Sequence, residues 1–389
     1  MFLIWLNTIK RILFQQGLDQ LNIKIWAVVV VLIVVLSGTC VYLSQHTGEK
    51  DRVAIVAMVN EEGSGIFASK TVSGLTLDPE TTANWGGHVF ATPGPSSIQH
   101  MILMDFVLNH LKLKYELYND VRNSDTVYWT AVGPGNMGTA LLAGNIDGGI
   151  AWEAHYSNIC KQPQYNAYSV GTTSELWEEH PCCVVAASRE FAYDNPNAIL
   201  RFLSAYSASV VWLNEAIEDT GAKHAKLVEY VKTTVGVDNQ AVIEQALVNV
   251  YYTFSLENLR AGIQTMVDTY TRLGLLNNTM ESMGFESTAA FADWLVVDSY
   301  ISLAAGRLPS YYSDLSNINI KVGILAQDIH QIALHVGIGE GIFAEYGLTL
   351  DLYGPYAAGG EIMNALLAGV IQMGFVGSPP VVLNTINMW

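Results

Sequence analysis

Charge is scarce in this sequence, and positive charge scarcer still: of 389 residues 14% are charged, 19 basic against 36 acidic, for a formal net charge of −17. No basic run supplies the face that a phosphate backbone needs, so a nucleic-acid partner is excluded. The acidic balance bears on solubility and long-range fields, whereas a few local groups decide a small-molecule site. Catalytic signatures are missing too. No GxSxG elbow, HExxH or P-loop lies between a strand and a helix, and the glycine-rich Gly133–Gly138 lacks the Lys-Ser/Thr of a nucleotide loop. That stretch reads as a strand-to-helix bend, and the chain is expected not to be an enzyme and to carry no cofactor. Cysteine is sparse, with four in all. Cys40 falls in a hydrophobic run, which leaves Cys160 and the adjacent Cys182 and Cys183. Their spacing is not that of a zinc site. A bridge from Cys160 to one of the pair and a set of free thiols both stay open.

Hydrophobic residues make up 50% of the chain, enough to offset the ordering entropy that keeps polar chains unfolded. From Ile25 to Leu43 no charge occurs for 19 residues, about the length of a helix that crosses a bilayer core. Lys10, Arg11 and Lys24 precede this run, while Lys50 and Arg52 after it alternate with Glu49 and Asp51. The bias places the N-terminus in the cytoplasm and everything after the span outside it. An uncleaved single-pass anchor is expected, because the run exceeds a typical signal-peptide core. Lipid attachment at Cys40 is the rival, weakened because Thr39 stands where a small residue should directly precede a lipidated cysteine. Phe2, Trp5, Leu6, Ile9, Ile12 and Leu13 share one helical stripe, suited to a helix lying in the cytoplasmic interface; a plain flanking coil is the alternative.

Beyond the tether Ser44–Asp51, strand-like and helix-like segments alternate. Val53–Val59, His88–Pro93, Asp147–Trp152, Lys321–Ala326 and Leu348–Pro355 read as strands. Ser96–Leu111, Met137–Gly144, a long segment from Pro196, nearly all of 223–305, and His330–Gly347 read as helices. Such alternation predicts α/β lobes with parallel or mixed sheets and crossover helices. Gly138–Trp152 (GTALLAGNIDGGIAW) and Met363–Gly377 (MNALLAGVIQMGFVG) share ALLAG, a residue pair and a strand, which predicts two lobes on one plan.

The stretch KVGILAQDIHQIALHVGIGEGIFAEYGLTLDLY, followed by GPYAAGGEIMNALLAGVIQMGFVGSPP, is similar to the opening of the SsuA/TauA/NMT1-like (THI5-like) family of type II periplasmic binding proteins. VAIVAMVNEEGSGIFAS, HVFATPGPSSIQH, LLAGNIDGGIAWEAH and HPCCVVAASREFAYDNPNAILRFL resemble its continuation. The resemblance implies a two-lobed type II periplasmic-binding-protein fold, here after one transmembrane helix. It implies the capture subunit of an ABC importer for sulfonates such as taurine, nitrate, bicarbonate or pyrimidine-type solutes, working with permease subunits. The order of segments departs from the family. The part that resembles its start stands last, so the expected organisation is 1–51 as amphipathic segment, anchor and tether, 52–305 as the central and C-terminal parts, 306–319 as linker and 320–389 as the N-terminal part, circularly permuted. A fragment of a tandem is the rival history. Under permutation, Met373–Val376, Val53–Val59 and Lys321–Ala326 should share a sheet. Asp147 keeps the family's aspartate after ALLAG, whereas the second copy has Gln372, a difference assigned to a turn. Thiamin-precursor synthases on this fold carry a cysteine-rich signature that HPCCV (His180–Val184) does not reproduce. An enzyme of that type is one alternative function and a ligand-sensing ectodomain another, although no output domain accompanies it.

Ligands in open α/β sheets lie beyond the carboxyl ends of the strands, and in a two-lobed protein those ends face a cleft. The candidate loops contribute Gln327 and His330, Ala358, Gly359 and Gly360, Ser378, Ser96 and Ser97, with Trp152 and Glu153 at a further strand end. Three of them lead into helices, whose free N–H groups and dipole suit an anionic head group. Each has a plainer reading as well: a cap for Ser96 and Ser97, a tight turn for Gly359 and Gly360, a partner-bonded histidine, a core tryptophan. Glu153 would oppose an anion unless a ligand amine meets it, which points to a zwitterion such as an aminosulfonate.

Overall fold

The computed structural model describes residues 52–78 and 84–389. The expected span Ile25–Leu43 and the interfacial stripe lie outside them. Among the described residues no helix is long and apolar enough to cross a membrane. Arg52–Trp389 form one unit. Its strands in chain order are β1 (Val53–Glu62), β2 (Ser64–Ser69), β3 (Val89–Thr92), β4 (Lys114–Leu117), β5 (Thr126–Ala131) and β6 (Gly148–Trp152). They continue as β7 (Ala167–Thr172), β8 (Pro181–Ser188), β9 (Val250–Tyr252), β10 (Ile318–Leu325), β11 (Leu348–Tyr356) and β12 (Met373–Gly377).

Two six-stranded sheets result, in the orders β11-β10-β12-β8-β1-β9 and β4-β5-β3-β6-β2-β7. In the first, β11, β10 and β12 run parallel, and β8 and β1 are each antiparallel to the strand before them. The second repeats the plan, with β5, β3 and β6 parallel and β2 and β7 antiparallel. Residues 52–62 and 181–389 supply the strands of the first sheet and 64–172 those of the second. The chain passes between the sheets at Gly63, whose φ of +88° suits a residue without a side chain, and again through 173–180. As expected, Met373–Gly377 shares a sheet with Val53–Glu62, separated from it by β8, with β10 on its other side. Arg52 Nη1 donates to the Met388 carbonyl at 3.1 Å, and its guanidinium lies 4.5 Å from the centre of the Trp389 ring.

The repeat extends to side chains. Val89 N donates to Asp147 Oδ2 at 2.8 Å, and Lys321 N donates to Gln372 Oε1 at 2.8 Å. In each lobe the residue just before the strand that follows ALLAG therefore pins the neighbouring parallel strand. That is a register role rather than a turn role, and an amide serves as well as a carboxylate. Burial raises the Asp147 carboxyl, but His88 at 3.6 Å, the Val89 N–H and the Arg122 guanidinium outweigh it, and the net shift is downward. A carboxyl depressed in the folded state adds stability that is present above its unfolded value, about 3.9, and is lost as pH falls through the lower folded value. Asp147→Asn is thus expected to lose about 1–2 kcal/mol at neutral pH, and progressively less as pH falls below about 3.9. Parallel unfolding-versus-pH curves for variant and wild type would refute this.

Several expected boundaries differ. The Ser96–Leu111 helix is α-helical over Ile98–Asp105 and then widens into a π-helical turn, Phe106–His110. The His330–Gly347 helix is broken: Ile332–Gly339 and Ile342–Glu345 are separated by Gly341, whose φ of +76° no helix can hold. The helical reading of 223–305 is interrupted by β9, which completes the sheet edge beside β1. Residues 306–319 are packed down, for Tyr312 Oη bonds Ser204 Oγ at 2.8 Å and Arg201 Nη2 donates to the Ser316 carbonyl at 2.9 Å.

Candidate functional site

The carboxyl ends of β3, β6, β10, β11 and β12 and the amino end of the antiparallel β8 surround a cavity of about 50 Å³. A water needs roughly 10–15 Å³ on such a measure, so in this closed arrangement the space suits a few heavy atoms. From the second lobe Ser96, Ser97, Gln99 and Trp152 line it; from the first come Cys182, Cys183, Asp328, His330, Ala358 and Gly359.

Of the residues singled out from sequence, Ser96, Ser97, Trp152, His330, Ala358 and Gly359 thus come together. Ser97 has a structural task there: its hydroxyl donates to the Gly94 carbonyl at 2.8 Å and accepts from His100 N at 3.2 Å, capping the helix that starts at Ile98. Trp152 is buried and its indole Nε1 has no partner. The helix Gly359–Leu367 begins at Ala358 without a side-chain cap, so N–H groups of its first turn remain for another acceptor.

Four expected residues do not line the cavity. Ser378 Oγ donates to the Pro181 carbonyl at 2.7 Å and tethers the following helix to β8. Gly360 lies one residue deeper in its helix. The Gln327 carbonyl accepts from His155 Nε2 at 3.0 Å, a bond between the lobes; burial lowers the His155 imidazole to about 4 and keeps it neutral. Glu153, fully buried, accepts from Ser157 Oγ at 2.8 Å and from Asn249 Nδ2 at 2.6 Å. Burial raises its carboxyl against the pull of these donors. Its carboxylate is therefore spent on joining the lobes, not on a ligand amine.

The acid that does face the cavity is Asp328, which sequence reasoning passed over, and burial raises its carboxyl too. His330 stands beside it, with Nδ1 3.3 Å from Asp328 Oδ1 and Nε2 3.0 Å from the Gly63 carbonyl. Burial alone would lower this imidazole; the Cys182 sulfur and the Asp328 carboxylate pull it up instead, to about 9. Cys160, Cys182 and Cys183 are all free thiols.

Residues 27–229, just over half of the chain, match the NMT1-like family. The chain belongs to the NMT1-like family. That match does not reach 318–389, whose likeness to the opening of such proteins rests on the motifs quoted above. Among curated proteins, the nitrate/nitrite binding protein NrtA of Nostoc sp. strain PCC 7120 is 25% identical over 172 residues, 43% of this chain and 38% of that protein. This NMT1-like chain thus aligns with well under half of that relative's length. Among solved structures, the periplasmic nitrate-binding protein NrtA from Synechocystis PCC 6803 superposes with a TM-score of 0.48 at 15% identity, over 65% of this chain and 67% of that one. The periplasmic aliphatic sulphonate binding protein SsuA from Escherichia coli gives 0.44 at 16%, over 62% and 70%.

Proposed function

We propose that this chain is the extracytoplasmic solute-binding component of an ABC importer, holding a small anionic or zwitterionic solute of the sulfonate, nitrate or bicarbonate class between its lobes. The observation that carries the reading is the cavity itself, closed by residues of both sheets and furnished with unspent donors, the Trp152 indole and the uncapped helix at Gly359. The buried Trp152 N–H left unpaired costs free energy, and an anionic oxygen would satisfy it together with the half-exposed N–H groups of the helix start at Gly359. Asp328 offers the place for the amine of a zwitterion, the part first given to Glu153. Family membership and the nitrate/nitrite-binding relative support the same reading. Opening would pivot on Gly63 and 173–180, breaking the Asn249–Glu153 and His155–Gln327 bonds. Docking of the closed form on permease subunits would follow. Residues 25–43 would anchor the chain with its N-terminus in the cytoplasm, and the segment order would be a circular permutation.

The test is a thermal-shift screen of the detergent-solubilised full chain against nitrate, nitrite, bicarbonate, taurine, alkanesulfonates and pyrimidines. A true solute at a hundred times its dissociation constant stabilises by about 2.7 kcal/mol. Trp152→Phe, which keeps an aromatic side chain of smaller size and removes the N–H donor, is expected to weaken binding about tenfold. A screen without any stabilising solute, or a Trp152→Phe protein of undiminished affinity, argues against the site.

A further inference from the structure

Cys182 and Cys183 are neighbours in β8, where strand alternation would send their side chains to opposite faces. The pairing with β1 is irregular at this end: Met58 faces Val184, Asn60 faces Cys183 and Glu61 faces Pro181. Val59 and Cys182 are therefore left without partners, a bulge of the kind that re-aims side chains. Both sulfurs come to one point as a result. Cys182 Sγ lies 3.8 Å and Cys183 Sγ 3.6 Å from His330 Nδ1, and the two sulfurs are 3.9 Å apart.

Those are the edges of a coordination tetrahedron. With bonds of about 2.3 Å to sulfur and about 2.0 Å to nitrogen, a tetrahedral zinc separates its ligand atoms by about 3.8 Å for two sulfurs and about 3.5 Å for sulfur and nitrogen. The ring is oriented for the task. A carbonyl can only accept, so His330 Nε2 must donate its hydrogen to Gly63, the outer bond that fixes a ligating imidazole and turns the other nitrogen to the metal. All three residues are buried, and all three line the cavity.

We propose that Cys182, Cys183 and His330 form a binding site for one zinc-class divalent cation, with its fourth position open to the cavity. Binding releases the protons that the two cysteines and His330 Nδ1 hold between them, and the ion takes two thiolate bonds and one imidazole bond. Only the identity of the fourth ligand, an oxygen of the anionic solute, rests on the proposed transport function; the three protein ligands stand without it.

Cobalt(II) is the probe, titrated into the reduced, chelator-treated full chain. One equivalent is expected to give the intense visible bands of a tetrahedral ion and a near-ultraviolet thiolate charge-transfer band, both erased by one equivalent of zinc. Cys182→Ser, Cys183→Ser and His330→Gln should each weaken binding by more than the about 10–100-fold that losing an outer-shell partner costs. Cys160→Ser should change nothing. The site is overturned if the wild type shows no charge-transfer band, if the band survives in folded Cys182→Ser and Cys183→Ser proteins, or if Cys182 and Cys183 are found joined as a disulfide that a mild thiol reductant leaves intact. Solute-induced stabilisation is measured separately, by thermal unfolding, on both chelator-treated and zinc-supplemented protein. Cobalt binding without any solute response sinks the transport reading alone, and a solute response without cobalt binding sinks the metal site alone.

Discussion

Deletion of residues 318–389 is expected to leave a chain that does not fold, whereas moving the same residues ahead of Arg52 through a short linker is expected to restore a folded protein. The first half follows from the sheet. β12 separates β10 from β8, pairing with β8 from Met373 opposite Ala187 to Gly377 opposite Cys183. Six side chains of the segment, Ile320, Val322, Phe343, Ile362, Phe375 and Val381, are buried in the main core. At about 1.5–3 kcal/mol each they contribute as much as the entire 5–15 kcal/mol by which a domain is stable. The second half follows from the repeat. In the second sheet the chain runs from β6 through the helix His155–Lys161 directly into β7. The first sheet has the same three pieces in the same places, β12, the helix Ser378–Asn387 and β1, but β12 and its helix come last in the sequence and β1 first. The missing connection is the one between Trp389 and Arg52, and those residues touch. A connection so short is a site where reordering is tolerated. Circular dichroism and a cooperative urea transition are the measurements. A truncated chain that still unfolds cooperatively with an unchanged m-value would show that 318–389 is dispensable, and an unfolded reordered chain would sink the permutation.

The sheet sharing could be read from sequence because ALLAG occurs twice with the same strand behind it, and because β1, β8, β10 and β12 are short apolar runs with turn residues around them. The long helix was legible for a similar reason: Pro196 occupies its first turn, where a missing N–H costs nothing, and Phe202, Leu203 and Tyr206 fall on the buried side. β4, β5 and β7 gave no such signal. Their residues are mixed in polarity, and what makes them strands is the neighbour each finds in the folded lobe. At the site, positions after strand ends were well placed, but the roles of side chains were not. Glu153 and Asp328 both follow strands, and nothing local says that Ser157 and Asn249 consume one carboxylate while the other borders the cavity. The same holds for the three metal-class ligands. Cysteine spacing excluded a zinc site because the third ligand is a histidine 147 residues beyond Cys183, brought in by the fold. The doubled cysteine was the only signal, and without the bulge in β8 it would have meant two thiols on opposite faces.

Arg201→Met is expected to cost about 3–5 kcal/mol, the largest loss for any single substitution considered, although the residue is far from the cavity. Arg201 lies on the helix Pro196–Glu218 and is fully buried. Its Nε donates to the Tyr346 carbonyl at 2.6 Å and its Nη2 to the Ser316 carbonyl at 2.9 Å, with Gly347 O a further acceptor. One guanidinium thus serves carbonyls from the segment before β10 and from the turn before β11. Methionine fills much of the volume but donates nothing, so these carbonyls would stay dry at about 1–3 kcal/mol each, offset in part by removing a buried charge. Lysine would keep the charge and lose the fork, and is expected to recover less than half of the deficit. Gly347 reports on the same contact: its φ is +64°, and an added Cβ would lie 2.3 Å from the Leu315 carbonyl oxygen, so Gly347→Ala should also destabilise by more than the usual glycine effect of about 1 kcal/mol. Urea unfolding checks all three, and hydrogen exchange at residues 316–318 and 346–348 locates the damage. An Arg201→Met protein within 1 kcal/mol of wild type, with those amides as protected as before, would mean that packing alone holds the segment in place.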